Sequence, residues 1–157
     1  MEKTPQAKRG GIHNLNYHPM KYFSYSEFFK SDVAEKHQVE NIPDDAQLSQ
    51  VLENIKALVL NVLDPLRARI GRPIIITSGY RSQRVNELVG GSKTSQHLLG
   101  KAADIHVQGY TPQQMDMVYR TIQMYCDFDQ LIFYPSKNII HISWDGNKSR
   151  QESWVKA

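Results

Sequence analysis

The sequence predicts an α+β fold: a single domain with a mostly antiparallel sheet and flanking helices. Three observations lead there. The chain has 157 residues, and about 100–200 residues usually make one domain. A long apolar pattern of helical period fills the middle of its first half. Short β-branched runs interleaved with helical segments fill the second half and end in a hairpin, and that order favours α+β over a parallel α/β sheet.

The elements follow in chain order. Residues 1–21 are polar, carry Gly10-Gly11 and lack periodicity; they read as a flexible N-terminal arm, with the domain proper at 22–157. His13 and His18 fall in that arm and read as exposed loop histidines. Ser24-Tyr-Ser-Glu27 is a capping box opening a short helix, with Phe28 and Phe29 turned inward. After a turn at Asn41–Asp45, the residues Leu48, Val51, Leu52, Ile55, Leu58, Val59, Val62, Leu63 and Leu66 mark one apolar helical face. Pro65 should kink or split that helix, and Gly71 and Pro73 should end it. Ile74–Ile76 reads as a buried strand, and Ser82 caps a short helix that Gly90-Gly91 stops. Ala102–Val107 reads as a second strand. Thr111-Pro112 opens a helix carrying Met115, Val118, Tyr119, Ile122 and Tyr125. Phe128–Tyr134 and Ile139–Trp144 read as strands joined through Pro135–Asn138.

Composition excludes several classes. With 40% hydrophobic residues, 9 Gly and 7 Pro, the chain is neither disordered nor collagen-like. No apolar run approaches the roughly 20 residues that span a bilayer, so no membrane partner is expected. The N-terminus is positively charged but lacks an apolar h-region, which gives no secretory signal in this chain and a cytoplasmic origin in the producing cell. Cys126 stands alone and reads as a core thiol. The net charge of +3 is spread along the chain without a zinc-finger or RNP motif, so no nucleic-acid partner is expected, and a monomer is.

Three side chains stand out as possible chemistry. His97 precedes Asp104 by six intervening residues, and His141 lies between isoleucines in the last strand. Two imidazole nitrogens and a carboxylate oxygen suit Zn²⁺ with a fourth position left for water. Strand alternation puts Asp104 and His106 on one face, and His141 and Ser143 on one face of the other strand. The same residues could equally be unrelated surface and core positions. His106 reads as a half-buried histidine, with a place as an alternative ligand or as a partner of a ligand left open, and Asp116 as part of a solvated helix face.

Ser78-Gly-Tyr-Arg81-Ser, Val85-Asn86, Gly90-Gly91-Ser92, Ser95-x-His97-x-x-Gly100-x-Ala102-x-Asp104, Asp129-Gln-Leu-Ile132 and His141-Ile-Ser143 together resemble one family. It is the zinc D-alanyl-D-alanine carboxypeptidase family of metallopeptidases, which includes D-alanyl-D-alanine dipeptidases and phage L-alanyl-D-glutamate endolysins. The likeness runs from about Phe23 to Trp144. It implies a hedgehog/DD-peptidase-like fold, a Zn²⁺ cofactor held by His97, Asp104 and His141, and a peptidoglycan peptide as substrate. Arg81 matches the arginine that reaches over the metal to steady an oxyanion. Ser95 matches a substrate-binding serine, though it could equally cap local backbone, and Tyr80 either lines the cleft or packs beneath the turn.

The pattern also departs from the family. Many relatives place Glu or Asp three residues before the last histidine, where this chain has Asn138; others carry Glu where Tyr134 stands. With Pro135–Asn138 as the turn, Ile132 opposes His141, and Gln130 and Tyr134 share the His141 face as substrate-binding positions. Asp129 would then point away, and a one-residue slip would reverse that, so Asp129 and Tyr134 both stay open as the base. The expected function is zinc-dependent hydrolysis of peptidoglycan stem or cross-link peptides after phage release or export. The alternative is a catalytically impaired zinc-binding module that recognises cell wall or protein.

Overall fold

Side chains that accept hydrogen bonds from free first-turn amides set the helix starts. The computed structural model describes residues 20–157, so His13, His18 and nearly all of the expected arm lie outside the described residues. At α1 (Tyr25–Phe29), Glu27 accepts from Ser24 N at 2.8 Å, completing the capping box. Ser31 caps α2 (Asp32–His37), an element the sequence reading did not single out. Asp44 caps α3 (Asp45–Leu58) by accepting from Gln47 N at 3.0 Å.

The long apolar face is split as Pro65 requires. It continues from α3 through a π-helical turn at Val59–Leu63 into α4 (Asp64–Ile70), whose first turn contains Pro65. A proline has no N–H to give and crowds the preceding turn, so it fits a helix start better than a helix interior. Gly71 at φ +74° closes α4.

The strands are β1 (Ile74–Ser78), β2 (Ala102–Val107), β3 (Gln130–Tyr134), β4 (Ile139–Ser143) and β5 (Glu152–Val155), with α5 (Gln83–Leu88) and α6 (Pro112–Tyr125) between them. They form one five-stranded sheet in the order β1-β2-β4-β3-β5, antiparallel except for the β3–β5 pair. The hairpin register is the expected one: Tyr134 pairs with Ile139 and Ile132 with His141. β5 was not foreseen.

Alternation gives the sheet two unlike faces. Ile105, Val107, Leu131, Phe133, Ile140 and Ile142 join the core with Val51, Ile55, Leu58 and Val62 of the long helical run and Met115, Val118 and Ile122 of α6. The long helical run and α6 thus bury against the same face, with Tyr119 stacked on Phe133 at 5.9 Å. Of the residues carried by α6, Tyr125 is 58% exposed, with the Arg69 guanidinium 3.7 Å from its ring centroid. Cys126 is half-buried, and burial pushes its thiol pKa up. Asp116 pairs with Arg120 at 2.8 Å on the exposed face of α6. The opposite face of the sheet bears Asp104 and His141 and opens to a cleft.

Candidate metal centre and cleft

Asp104 on β2 and His141 on β4 are direct cross-strand partners. That pairing alone brings His141 Nδ1 to 2.9 Å from Asp104 Oδ1. His97 comes from outside the sheet, on a single 3₁₀ turn at Gln96–Leu99. Ser95 Oγ accepts from His97 N at 3.2 Å to start the turn, and Gly100 at φ +76° ends it. Arg81 N donates to His97 O at 3.0 Å, tying the turn to the Ser78–Arg81 segment. His97 Nδ1 lies 2.7 Å from Gly79 O, and a Cβ on Gly79 would sit 2.7 Å from Phe28 Cα, so only glycine lets this carbonyl approach.

The donor atoms of His97, Asp104 and His141 all lie within 4.8 Å of one another. His97 is 2% exposed, and its Nε2 is 3.3 Å from Asp104 Oδ1. Bonds of about 2.0–2.2 Å to a tetrahedral zinc place donor atoms roughly 3.3–3.5 Å apart. The donor chemistry agrees. With Nδ1–H given to Gly79 O, His97 is left with Nε2 to face a carboxylate oxygen. A ring nitrogen and a carboxylate oxygen at that distance share either a proton or a metal cation, and zinc takes the place of the proton. Burial would raise the Asp104 pKa, but hydrogen bonds from His141 and His97 and the attraction of both rings hold it well below the usual carboxylate range. The group therefore stays anionic, as a ligand must.

Arg81 borders the same point, with Nη2 3.3 Å from Asp104 Oδ2. Its other nitrogens are anchored: Nε donates to Ser78 Oγ at 3.1 Å and Nη1 to Asn86 Oδ1 at 3.3 Å. Burial lowers its pKa, and the nearby Asp104 charge opposes that. Triad and arginine lie in a cleft of about 970 Å³ that Ser95, Gln130 and Tyr134 also line.

A protein-family model described as peptidase M15 matches residues 21–143, a span that contains the triad, Arg81 and the whole sheet except β5. The chain belongs to the peptidase M15 family. No curated protein gives a significant match. M15 peptidases depend on zinc, and the His97–Asp104–His141 donor set fits that ion.

Other expected site residues of this M15 chain are placed less simply. Tyr80 lies in the core rather than in the cleft: it is 5% exposed and meets the Phe29 ring edge-on at 5.6 Å. What the turn uses is its backbone, since Tyr80 O accepts from the buried Asn41 Nδ2 at 2.9 Å while Asn41 Oδ1 accepts from Ser82 N at 2.7 Å. Gln130 reaches toward Glu152 of β5, and its backbone N donates to Ser143 Oγ at 3.0 Å. Tyr134 borders the cleft, with its phenol pKa raised by burial and by the Asp104 charge.

Both carboxylate oxygens of Asp129 are committed. Oδ1 accepts from Arg150 N at 2.9 Å and Arg150 Nε at 2.8 Å; Oδ2 accepts from Arg150 Nη2 at 2.8 Å and Gln96 Nε2 at 2.9 Å. The Arg150 hydrogen bonds, working against burial, hold its pKa down at about 2. Asp129 is built as a structural anion, held by Arg150 and Gln96. Asn138 sits in the hairpin turn at φ +55° and donates to Tyr110 O at 2.8 Å, while its own carbonyl lies 3.2 Å from His106 Nδ1. Asn138 and His106 therefore face each other at the strand end, and His106 takes no place in the triad. Sequence reasoning missed Asn86, Gln96 and Arg150; the first was visible only as part of the family motif, and no local signal marks the other two.

Proposed function

We propose that the chain is a zinc-dependent peptidase hydrolysing peptidoglycan stem or cross-link peptides, of the D-alanyl-D-alanine carboxypeptidase or endolysin type, acting outside the cell that makes it. The observation that carries this is the convergence of His97 Nε2, Asp104 Oδ1 and His141 Nδ1 on the cleft floor with a tethered arginine beside them. Zinc held there would supply Lewis-acid polarisation of the scissile carbonyl and a more acidic water. Arg81 would donate to the carbonyl oxygen as negative charge grows on it, with Ser78 and Asn86 fixing the fork beforehand. Ser95 and Gln130, which line the cleft, would offer hydrogen-bonding groups to the substrate backbone. Tyr134, a phenol whose pKa burial and the Asp104 charge push further above its ordinary value, would donate to the substrate and hold its proton near the leaving amine.

One observation favours a second reading, a wall-binding module with little or no activity. Asn138 points to Tyr110 and Asp129 is saturated, so neither supplies the carboxylate that would take a proton. A paired experiment decides. Protein purified without chelator is expected to hold near-stoichiometric zinc, lost in His97→Ala, and to release new free amines from muropeptides of several wall types. Zinc without amine release selects the binding module; zinc content unchanged in His97→Ala overturns both readings.

A further inference from the structure

The charges around the cleft are unevenly balanced. Three side-chain carboxylates border it, and each has a cation partner: Asp104 has Arg81 and the two imidazoles, Asp129 has Arg150, and Asp145 has Lys101 at 2.7 Å. Lys137, Lys148 and Lys156 border the same cleft, and none forms an ion pair among the described residues.

Two of these lysines share one end of the cleft. Lys137 is in the turn between β3 and β4, with its ammonium 5.5 Å from the Tyr134 ring centroid. Lys156 directly follows β5, and its backbone N donates to Phe133 O at 2.8 Å. The parallel β3–β5 register, Phe133 beside Val155, therefore brings Lys156 alongside Tyr134. Ala157, bordering the same end, makes no ion pair with either lysine. Lys148 belongs to a 3₁₀ turn at Gly146–Lys148, beyond the far end of β4 near Asp145 and Arg150.

We propose that the cleft selects acidic peptides, with the Tyr134 end receiving a substrate carboxylate between Lys137 and Lys156. Like charges gathered at a concave mouth focus potential and raise the local concentration of an anionic ligand. Single exposed pairs contribute little, so the lysines act together and through solvent, and salt should weaken them. The Tyr134 hydroxyl adds a neutral donor at the same place. The inference takes the position of the cleaved bond from the hydrolase reading above, but the binding preference does not need turnover.

The test uses two peptide pairs. One is a synthetic stem pentapeptide with γ-linked D-glutamate bearing a free α-carboxylate, matched with its α-carboxamide. The other is an alanine-rich linear peptide carrying either glutamate or glutamine. Affinities are measured by calorimetry with chelator present, and cleavage separately with zinc. Wild-type protein is expected to bind the acid of each pair roughly three- to tenfold more tightly at low salt. The preference should vanish near about 1 M salt and in Lys137→Gln/Lys156→Gln. It should survive in Lys30→Gln/Lys36→Gln, which changes net charge equally at exposed positions outside the cleft lining. Equal affinity for acid and amide, or a preference that persists without Lys137 and Lys156, overturns the proposal. Selective binding without any cleavage leaves it standing and counts against the hydrolase reading alone.

Discussion

Arg81 is held by three side chains, which makes its contribution separable from that of the metal ligands. Each guanidinium nitrogen has its own acceptor: Nε donates to Ser78 Oγ, Nη1 to Asn86 Oδ1 and Nη2 to Asp104 Oδ2. Asn86 is itself 4% exposed and anchored through Nδ2 to Ser92 O at 2.9 Å, so it can hold the arginine without moving. Arg81→Ala is expected to lower kcat roughly 10²–10³-fold, the usual cost of losing one oxyanion donor, with zinc content unchanged. Asn86→Ala should lower kcat less, about tenfold, since Arg81 keeps two anchors; KM should move little in either variant. Tyr80→Phe should leave both constants within about twofold, because its ring is in the core. A large kcat loss in Tyr80→Phe, or none in Arg81→Ala, contradicts this placement. Residue types were legible in the sequence here because motif spacing carried the triad and the arginine. Tyr80 was ambiguous because strand-to-turn segments have no fixed period, so nothing local says which way the ring points.

The elements were legible wherever burial is one-sided. The hairpin register follows from Ile140 and Ile142 having to face the core, which leaves His141 toward the cleft, and a slip would have buried an imidazole instead. β5 lacks that constraint: four residues at a sheet edge, mostly exposed, paired in parallel with a strand over twenty positions earlier. Its anchor is the Asp129–Arg150 pair, with Glu152 N donating to Asp129 O at 3.0 Å and Gln151 N to Phe128 O at 2.9 Å. The same carboxylate holds Gln96, the neighbour of His97. Asp129→Asn is expected to cost about 1.5–3 kcal/mol at neutral pH, the range for hydrogen bonds to a charged group. The sign with pH is fixed by the depressed pKa. The unfolded chain binds a proton near the ordinary value of 3.8, the folded protein only near about 2. The stabilisation is therefore complete above pH 4 and drains away as pH falls toward 2. Denaturant titrations over that window should show a steeper loss in wild type than in Asp129→Asn; parallel curves would mean that the pair does not hold β5.

At the scale of the whole molecule, the apolar core and the triad occupy opposite faces of one sheet, and this decides what the metal does for stability. The core runs through three fully buried residues of β2 and β4, Ile105, Ile140 and Ile142, and through the helices behind them. None of those contacts involves His97 or His141, so the chain should fold without zinc, unlike small domains whose only core is a metal. Binding still adds stability by mass action, about 2.7 kcal/mol when free zinc stands at a hundred times its dissociation constant. For a chain of this length 1 kcal/mol moves the midpoint by roughly 2–4 °C, so chelation should lower Tm by about 5–10 °C. The far-UV circular dichroism should stay unchanged, because β2 and β4 remain paired. His97→Ala should melt at one temperature whether zinc or chelator is present. The contact between His97 Nε2 and Asp104 Oδ1 sharpens the expectation, since removing a cation that both atoms bind changes the hydrogen bonding of the ring. Side-chain NMR of His97 should therefore change on chelation while the core methyl signals do not. A Tm indifferent to zinc in the wild-type protein would mean that the three donors do not share an ion.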